Sequence, residues 1–474
     1  MPPGQYPNQG VRYDAMMDNN GQYAALRRQY PVFDYEGYHY AFDTDGLHLR
    51  FDFRMGDIEF HPTACIESRP WLSRDLPPDE LDRLVFDIGM VETISYWKSA
   101  CPPTLRVGCG TLDAEAIAFW KKLYRLGLGE FFFTNAIAAP TDDFLTIIAH
   151  GGPHCSATTP QASTQATSAA DASTYLVPIG GGKDSVVSLE LLRRAGSRVR
   201  PLIMNPRGAT RDCARTAGFP MGEVLVIRRT IDPALLDLNR RGYLNGHTPF
   251  SAMLAFYTRL AARLSGISQV ALSNESSANE STVAGTAVNH QYSKSLDFED
   301  DFRRYASSPA FRYFSLLRPL SELQIAMLFS RLTPYHEVFR SCNAGSRTDS
   351  WCGHCAKCLF AYLILSPFLP PERLAALFGK DMLADASLRP VMLQLAGLAP
   401  TKPFECVGTV AEVRQALAMA SSRWFAGGRP ALLQGLPFLD EGVPQADLAL
   451  LAPIGNLTPR EREILQKACT AKTN

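Results

Sequence analysis

The chain has 474 residues, and because 47 are Lys or Arg and 47 are Asp or Glu, its formal net charge is zero. This neutral total argues against a nucleic-acid partner, which a basic surplus would indicate. Hydrophobic residues make up 46% of the chain, as in globular proteins with an apolar core. No apolar run reaches the roughly 18 residues of a membrane span, and no signal peptide is recognisable, so a cytoplasmic location is expected.

The first 150 residues are predicted to contain a tail and an α+β domain. Residues 1–30 are rich in Pro, Gly, Asn and Gln and are interpreted as a mobile tail. Apolar and polar residues alternate over residues 38–60, with turn signals between the runs, which predicts a β-meander. Helical spacing follows at residues 79–98, and Asp113 is placed to cap a second helix. The predicted domain, residues 31–150, has no catalytic signature of its own.

A linker rich in Ser, Thr, Ala and Gln, residues 151–174, precedes a predicted central domain at residues 175–367. Short apolar runs alternate with helical patterns there, which predicts a parallel sheet with crossover helices. Ligands of such sheets lie beyond the carboxyl ends of the strands, so the segments that follow each strand are the candidate site. Residues 368–474 show helical patterns and are predicted to form a C-terminal helical region.

The clearest functional signal is a glycine loop between an apolar run and a helical pattern. Its residues are Gly180, Gly181, Gly182, Lys183, Asp184 and Ser185. Such a loop presents backbone N–H groups to a phosphate, and the helix start and the lysine add positive charge. The spacing does not fit a Walker loop or a dinucleotide fingerprint. GGGKDS instead resembles the S-G-G-x-D-S loop of the N-type ATP pyrophosphatases, or PP-loop proteins. A glycine-rich turn without a ligand is the alternative.

Two other loops contain candidate chemistry. A long polar run after the fourth predicted strand of the central domain contains His290 and Lys294. Irregular loops of this length inside a compact domain are typical of functional loops, and a flexible lid without chemistry is the alternative. The later loop KPFECVGT, residues 402–409, contains Cys406 and is interpreted equally well as a buried turn or as part of the active site.

Four of the eleven cysteines have the spacing of a metal site: Cys342, Cys352, Cys355 and Cys358. A C-x2-C-x2-C run with a fourth cysteine upstream can supply four thiolates to a tetrahedral zinc ion, which fits a reducing compartment. An iron–sulfur cluster, a metal-free knuckle and a catalytic C-x-x-C redox pair are the alternatives.

Five segments together resemble the ATP-dependent UDP-N-acetyl-α-D-muramoyl-L-alanyl-L-glutamate epimerases: YLVPIGGGKDS, LIMNPR, VNHQYSKSLDFE, WCGHCAKCLFAYL and KPFECVGT. The N-terminal segment YEGYHYAFDTDGLHLRFDF looks like the separate N-terminal domain of that family. The resemblance implies a PP-loop ATP pyrophosphatase domain, of the adenine nucleotide α-hydrolase type, at the centre of the chain. It also implies inversion of the terminal L-Glu of a UDP-muramyl dipeptide, with ATP and Mg²⁺ required and AMP and pyrophosphate released.

The resemblance also implies roles for individual residues. The glycine loop would bind the phosphates, and Asp184 would hold the loop or a Mg²⁺ ion. Gly180 departs from the pattern because PP-loop proteins usually have serine there, so one hydroxyl contact is lost. Asn205 directly follows a predicted strand and is a further candidate for nucleotide binding. The base that removes the α-proton is not identified by the sequence, and His290, Lys294 and Cys406 are the hypotheses.

Two other functions stay open. One is another PP-loop adenylating enzyme, either deazaguanine nitrile-forming or tRNA-modifying. The cysteine knuckle resembles that of the former, whereas the basic face expected of a tRNA enzyme is not visible. The other is a non-enzymatic nucleotide-binding regulator, against which the intact K-D-S and the long polar loop argue.

Overall fold

The computed structural model describes residues 19–138, 140–149, 173–279, 291–308 and 311–471. Over these residues the fold is mixed α/β, with helices around one eleven-stranded sheet. The strands are β1 Val32–Phe42, β2 Gly46–Met55, β3 Ile58–Phe60, β4 Thr63–Glu67, β5 Thr104–Val107, β6 Thr146–Ala149, β7 Thr174–Pro178, β8 Arg198–Met204, β9 Leu225–Arg229, β10 Gln269–Leu272 and β11 Arg312–Ser315.

The helices cover both faces of the sheet and form most of the C-terminal region. They are α1 Asn20–Gln29, α2 Pro78–Trp97, α3 Ala114–Gly127, α4 Gly129–Thr134, α5 Lys183–Arg194, α6 Gly208–Thr216, α7 Pro233–Arg240, α8 Phe250–Ser265, α9 Leu296–Ala306, α10 Glu322–Ser330, α11 Ala356–Leu365, α12 Pro371–Phe378, α13 Arg389–Leu395, α14 Val410–Trp424, α15 Phe438–Glu441 and α16 Pro459–Thr470. Within the described part of the chain, no helix is long and apolar enough to cross a membrane.

The sheet has a parallel part and a mixed part. Its order is β11-β10-β7-β8-β9-β4-β2-β1-β5-β6, and β3 pairs with β2. Strands β7 to β11 are mutually parallel, as predicted for the central domain. Strands β1, β2 and β3 form the predicted antiparallel meander. The two parts meet where β9 pairs antiparallel with β4, with Ile66 opposite Ile227.

The strand order reverses direction between β7 and β10. From β7 the chain proceeds outward to β8 and β9 on one side, and it then returns to add β10 and β11 on the other side. Helices α5 and α6 belong to the apolar core on one face of the sheet, whereas α8 and α9 belong to the core on the other. Because the connections after β7 and before β10 pass over opposite faces of the sheet, a crevice opens at the carboxyl ends of these two strands. This crevice is the usual ligand site of such sheets.

The predicted N-terminal and central domains share this sheet and one apolar core. Helix α2 packs against α8, and the rings of Trp120 and Phe256 stack with their centroids 5.0 Å apart. Arg229 of β9 donates two hydrogen bonds, of 2.5 and 2.6 Å, to the buried carboxylate of Glu92 on α2. Residues 151–172 of the predicted linker lie outside the described residues. The segments on either side of it are therefore joined through strands and core.

The prediction of a mobile tail at residues 1–30 is wrong for its last third, because residues 20–29 form α1. Leu26 and Tyr30 are buried against the core. The guanidinium of Arg27 donates to the carbonyl oxygens of Cys101, at 2.5 Å, and Phe144, at 2.7 Å. These apolar contacts and hydrogen bonds fix a segment whose Gln and Asn content suggested mobility. Residues 1–18 lie outside the described residues.

Several helices begin at a side chain that caps the first turn, as predicted for Asp113. Asp113 caps α3 by accepting the N–H of Ala116 at 2.8 Å. The capping boxes that open α10, α14 and α16 are formed by Ser321, Thr409 and Thr458. The C-terminal region is helical as predicted, and its helices share an apolar core with α5, α10 and α11.

Candidate active site

A cleft of about 250 Å³ opens at the reversal point of the strand order. Gly180 and Gly182 of the glycine loop line it from the end of β7, and Ser273 and Asn274 line it from the end of β10. The start of α8 and the segment around residues 340–349 form the other walls. The crevice expected for this topology is thus present, and the glycine loop is part of its wall.

The backbone of the glycine loop is shaped for close approach. Gly181 has a φ of +83°, and a Cβ atom there would lie 3.1 Å from the amide nitrogen of Thr210. Gly182 is the N-cap of α5 and brings no capping side chain, so this helix N-terminus meets the cleft without one. Such a terminus is suited to a phosphate. A Cβ at Gly180 would meet no atom within 4 Å, so the serine of the PP-loop pattern would fit sterically.

Lys183 lies beneath the loop and does not line the cleft. It is 7% exposed, and its Nζ is 2.5 Å from Asp184 Oδ1 and 2.5 Å from Glu322 Oε2. Burial lowers the pKa of Lys183, but the two carboxylates outweigh burial and raise it overall. This geometry differs from the predicted direct contact of Lys183 with phosphates. A buried ammonium needs carboxylate partners, and this one has them inside the protein.

Two carboxylates near the loop, Glu275 and Glu322, are buried, which the sequence analysis did not predict. Burial raises the pKa of Glu322 well above its usual value, with Lys183 acting in the opposite direction. Burial also raises the pKa of Glu275, against the opposing effect of Lys294. Glu275 follows β10, in a segment that the topology did mark, but nothing in the sequence singled it out. Glu322 gave no signal beyond its place at the start of α10.

Lys294 and Cys406, two of the three candidate bases, are in contact. Their side chains share a hydrogen bond. Burial lowers the pKa of Lys294, but Cys406 and then Glu275 raise it, and the net shift is upward. Lys294 also lines the cleft. His290, the third candidate, lies outside the described residues.

Asn205 has a backbone role in the structure. It lies at the end of β8 with a φ of +50°, and its side chain is exposed. Its Nδ2 donates to the carbonyl oxygen of Arg229 at 3.1 Å, and its Oδ1 accepts the N–H of Arg229 at 2.7 Å. The amide therefore ties the end of β8 to β9, and Asn205 is not among the residues that line the cleft.

Cys406 is carried by residues 401–408, here named the closing segment. The ring of Phe404 packs on Phe133 of α4 with the centroids 5.1 Å apart. Asn343 Nδ2 donates to Glu405 Oε2 at 2.9 Å. The closing segment thus runs between the N-terminal part of the protein and the cysteine knuckle. Because Cys406 contacts Lys294, which lines the cleft, the closing segment lies beside the candidate site.

Comparison with known proteins gives the family. The model of the MurL N-terminal domain matches residues 24–316, and that of the MurL C-terminal domain matches residues 338–434. The chain is 34% identical over 442 residues to the UDP-N-acetyl-alpha-D-muramoyl-L-alanyl-L-glutamate epimerase of Salinispora tropica, covering 89% of this chain and 91% of that protein. The chain belongs to this epimerase family.

Two further relatives of the same name agree with this assignment. The protein from Xanthomonas oryzae pv. oryzae is 40% identical over 347 residues, which cover 71% of this chain and 74% of the relative. The protein from Micromonospora sp. is 36% identical over 359 residues, which cover 72% and 76% of the two chains. No solved structure matches the chain.

Both MurL domains contribute to the cleft. The glycine loop and Lys294 belong to the N-terminal MurL domain, and Cys342 and Cys406 belong to the C-terminal one. The site is therefore complete only where the two domains meet, with Cys406 against Lys294.

The four predicted metal ligands converge in the C-terminal MurL domain. The sulfur atoms of Cys342, Cys352, Cys355 and Cys358 all lie within 4.8 Å of one another. Sulfurs at the usual zinc distance in a tetrahedron would be about 3.8 Å apart, and the pairs Cys342–Cys355 and Cys352–Cys358 are 3.8 and 3.6 Å apart. The N–H of Gly345 also points at Cys342 Sγ, at 3.1 Å. This set could hold one metal ion.

We expect Glu275→Gln to reduce the loss of stability as pH rises. Burial raises the pKa of Glu275 in the folded protein. Its contribution to stability is therefore present below the pKa of the unfolded chain and is lost as pH rises through the folded pKa. The variant should lose less unfolding free energy than the wild type between about pH 5 and about pH 8 in urea titrations. The exposed Glu441→Gln on α15 is the control, and an equal loss in Glu275→Gln and wild type would contradict the expectation.

Proposed function

We propose that this protein inverts the terminal L-Glu of UDP-N-acetylmuramoyl-L-alanyl-L-glutamate to D-Glu and cleaves ATP to AMP and pyrophosphate. The observation that carries the proposal is that one cleft is lined both by an uncapped glycine loop and by Lys294, whose side chain is hydrogen-bonded to Cys406. The loop supplies a place for phosphates, and the pair supplies a titratable thiol and ammonium. Membership of the epimerase family supports the choice of substrate.

The chemistry explains why an epimerase would need ATP. The α-hydrogen of a carboxylate is weakly acidic, because its removal adds negative charge beside an existing anion. Attack of the substrate carboxylate oxygen on the α-phosphorus of ATP forms an acyl-adenylate and expels pyrophosphate. The carbonyl is then ester-like, so a base can remove the α-proton, and reprotonation on the opposite face inverts the centre. Water then cleaves the mixed anhydride and returns the acid and AMP.

The glycine loop would hold the phosphates through its backbone. The order of strands β7 to β11, the uncapped start of α5 and the sequence GGGKDS support assignment of this part to the PP-loop ATP pyrophosphatases. Gly182 and Ser185 line the cleft, and Lys183 fixes the loop from below. Asp184 also lines the cleft, and its carboxylate is suited to a Mg²⁺ ion that would neutralise phosphate charge.

Lys294 and Cys406 would take part in the transfer of the α-proton. An ammonium beside a thiol favours the thiolate, which is the form that accepts a proton. We assign proton transfer to Cys406 and stabilisation of its thiolate to Lys294, on the basis of their hydrogen bond. His290 remains a hypothesis for the opposite face of the α-carbon.

The cysteine knuckle would hold a structural zinc ion. Four thiolates close the coordination sphere and leave no open position for substrate, which is the pattern of structural sites. Because Cys342 and Asn343 also line the cleft, the ion would fix this wall of the active site. The partners would be ATP and the UDP-muramyl dipeptide in the cytoplasm, without a nucleic acid or membrane.

The first test is an assay of pyrophosphate release with ATP, Mg²⁺ and the UDP-muramyl L-Ala-L-Glu dipeptide, followed by chiral analysis of the glutamate. Stoichiometric pyrophosphate and D-Glu are expected, since each inversion consumes one activated carboxylate. Pyrophosphate without D-Glu would leave adenylation intact and contradict the epimerase step. No pyrophosphate with this dipeptide would contradict the proposed function, and deazapurine acids would be tested next.

Cys406→Ser should separate the two chemical steps. We expect exchange of the α-proton with solvent deuterium to fall about 100-fold or more, the usual contribution of a positioned base, while pyrophosphate release persists. Lys294→Met should slow the same exchange, because the thiolate loses its cation. Cys65→Ser on β4, which is distant in sequence and half-buried, is the control. Unchanged exchange in Cys406→Ser would remove that residue as the base.

Metal analysis tests the knuckle. About one zinc ion per chain is expected in purified protein, and Cys358→Ser should lose most of it because one of four thiolates is gone. The control Cys65→Ser should keep its zinc. Iron with a visible absorption band in place of zinc would indicate a cluster, and a full zinc content in Cys358→Ser would contradict the assigned ligand set.

A further inference from the structure

Arg318 is a fully buried arginine next to the cleft that the mechanism above does not use. It lies between β11 and α10, and its side chain has no exposed surface. Its Nη1 donates to the carbonyl oxygen of Glu275 at 2.9 Å, and its Nη2 donates to the carbonyl oxygen of Lys294 at 2.6 Å. A single guanidinium therefore holds the backbone at two residues of the candidate site.

These two residues bracket one segment of the chain. Glu275 precedes residues 276–293 and Lys294 follows them. These residues form the central part of the long polar run that was predicted to be functional. By fixing both ends, the guanidinium sets where the run leaves the sheet and where it returns, and it sets the backbone position of Lys294.

Arg318 is itself held on several sides. Its Nη2 is 3.2 Å from Glu299 Oε2, and the same carboxylate oxygen accepts the N–H of Ser315 at 3.1 Å. Asn456 donates to the other oxygen of Glu299 at 2.9 Å. A Cβ on Gly455 would lie 2.9 Å from Arg318 Cγ, so the C-terminal loop packs directly on this side chain. The guanidinium is thus held in one position, and it in turn fixes the backbone carbonyl groups of Glu275 and Lys294.

We propose that Arg318 is a positioning residue for the proton-transfer step, which it serves by holding Lys294 against Cys406. The proposal rests on the proposed function for the identity of that step. A lysine could not replace the contact, because one ammonium cannot reproduce the planar fork that reaches two carbonyl oxygens and a carboxylate together. Misplacement of Lys294 would affect the thiolate of Cys406 more than the glycine loop, which is fixed separately by Glu322.

The test compares Arg318→Lys with Arg259→Lys. Arg259 on α8 is a matched control, because its guanidinium also bonds a carboxylate, Asp87 at 3.0 Å, and a backbone carbonyl, Ala306 at 3.0 Å. In Arg318→Lys we expect α-proton exchange to fall about 10- to 100-fold and pyrophosphate release to fall much less. If Arg318 had only a structural role, Arg318→Lys would lower both rates in the same proportion. Any loss of folded protein in the control Arg259→Lys would likewise lower both rates equally.

A second measurement does not depend on turnover. The rate at which iodoacetamide alkylates Cys406 is followed against pH, with the Cys406 peptide resolved by mass spectrometry. Displacement of Lys294 in Arg318→Lys should move this profile to higher pH, because the thiolate would lose the ammonium that stabilises it, while Asp184 and Glu275 are charged partners of Lys294 itself. Glu299→Gln, which keeps the guanidinium but weakens its hold, should give a smaller shift in the same direction.

The outcomes are distinct. An Arg318→Lys protein with a wild-type ratio of exchange to pyrophosphate release and a wild-type alkylation profile would overturn the positioning role. If the wild-type protein released no pyrophosphate, the proposed function would fail, whereas the alkylation profile would still decide whether Arg318 holds Lys294 at Cys406. If Arg318→Lys does not fold, the profile of Glu299→Gln decides the matter, and an unshifted profile would overturn the proposal.

Discussion

A buried ammonium beneath the glycine loop constrains much of the active site. Lys183 is held by Asp184 on the loop and by Glu322 on α10, and a charge in this position would be strongly unfavourable without both partners. The backbone N–H of Glu322 in turn donates to Glu412 at 2.7 Å. Glu412 also accepts the N–H of Thr409 at 2.7 Å, in the capping box of α14. This chain of contacts joins the glycine loop to the residue that directly follows the closing segment.

The short segment 318–322, which ends at the first residue of α10, contacts both sides of the cleft. Within five consecutive residues it contains Arg318, which holds Lys294, and Glu322, which holds Lys183. The two lysines belong to different loops, after β7 and before α9, and both are fixed by one short piece of chain. The relative position of the glycine loop and the Lys294–Cys406 pair therefore depends on how this segment packs, and its arginine and glutamate are both buried.

The local elements were largely predictable, and the long-range ones were not. Helix starts at Asp113, Ser321 and Thr409 follow from side chains that bond their own turn, so sequence spacing suffices. The order of β7 to β11 could be anticipated only as a parallel sheet with its ligand at the carboxyl edge. The pairing of β4 with β9 depends on contacts between residues about 160 positions apart, for which the local pattern contains no signal.

The same distinction applies to the candidate site. The glycine loop and the four cysteines were found because their chemistry depends on short spacings. Glu322 and Arg318 were missed, and Glu275 was marked only as part of a segment that follows a strand, because each acts through tertiary contacts. Lys183 was assigned to phosphate because a lysine after glycines usually faces the ligand. In this fold its ammonium is bonded to Asp184 and Glu322, and the cleft is lined by the glycines of the loop and not by Lys183.

The proposed reaction sets an order that this architecture can enforce. An acyl-adenylate is labile to water, so inversion must be faster than hydrolysis for ATP to be used productively. Proton transfer must therefore be positioned before the adenylate forms. The closing segment supplies Cys406 from one side of the site. The residues that follow this segment are tied through Glu412 to Glu322, which holds Lys183 of the glycine loop. Arg318 fixes Lys294 from the other side. In the proposed reaction, adenylation and inversion would thus take place within one frame, which the buried charges of Lys183, Glu322 and Arg318 hold together.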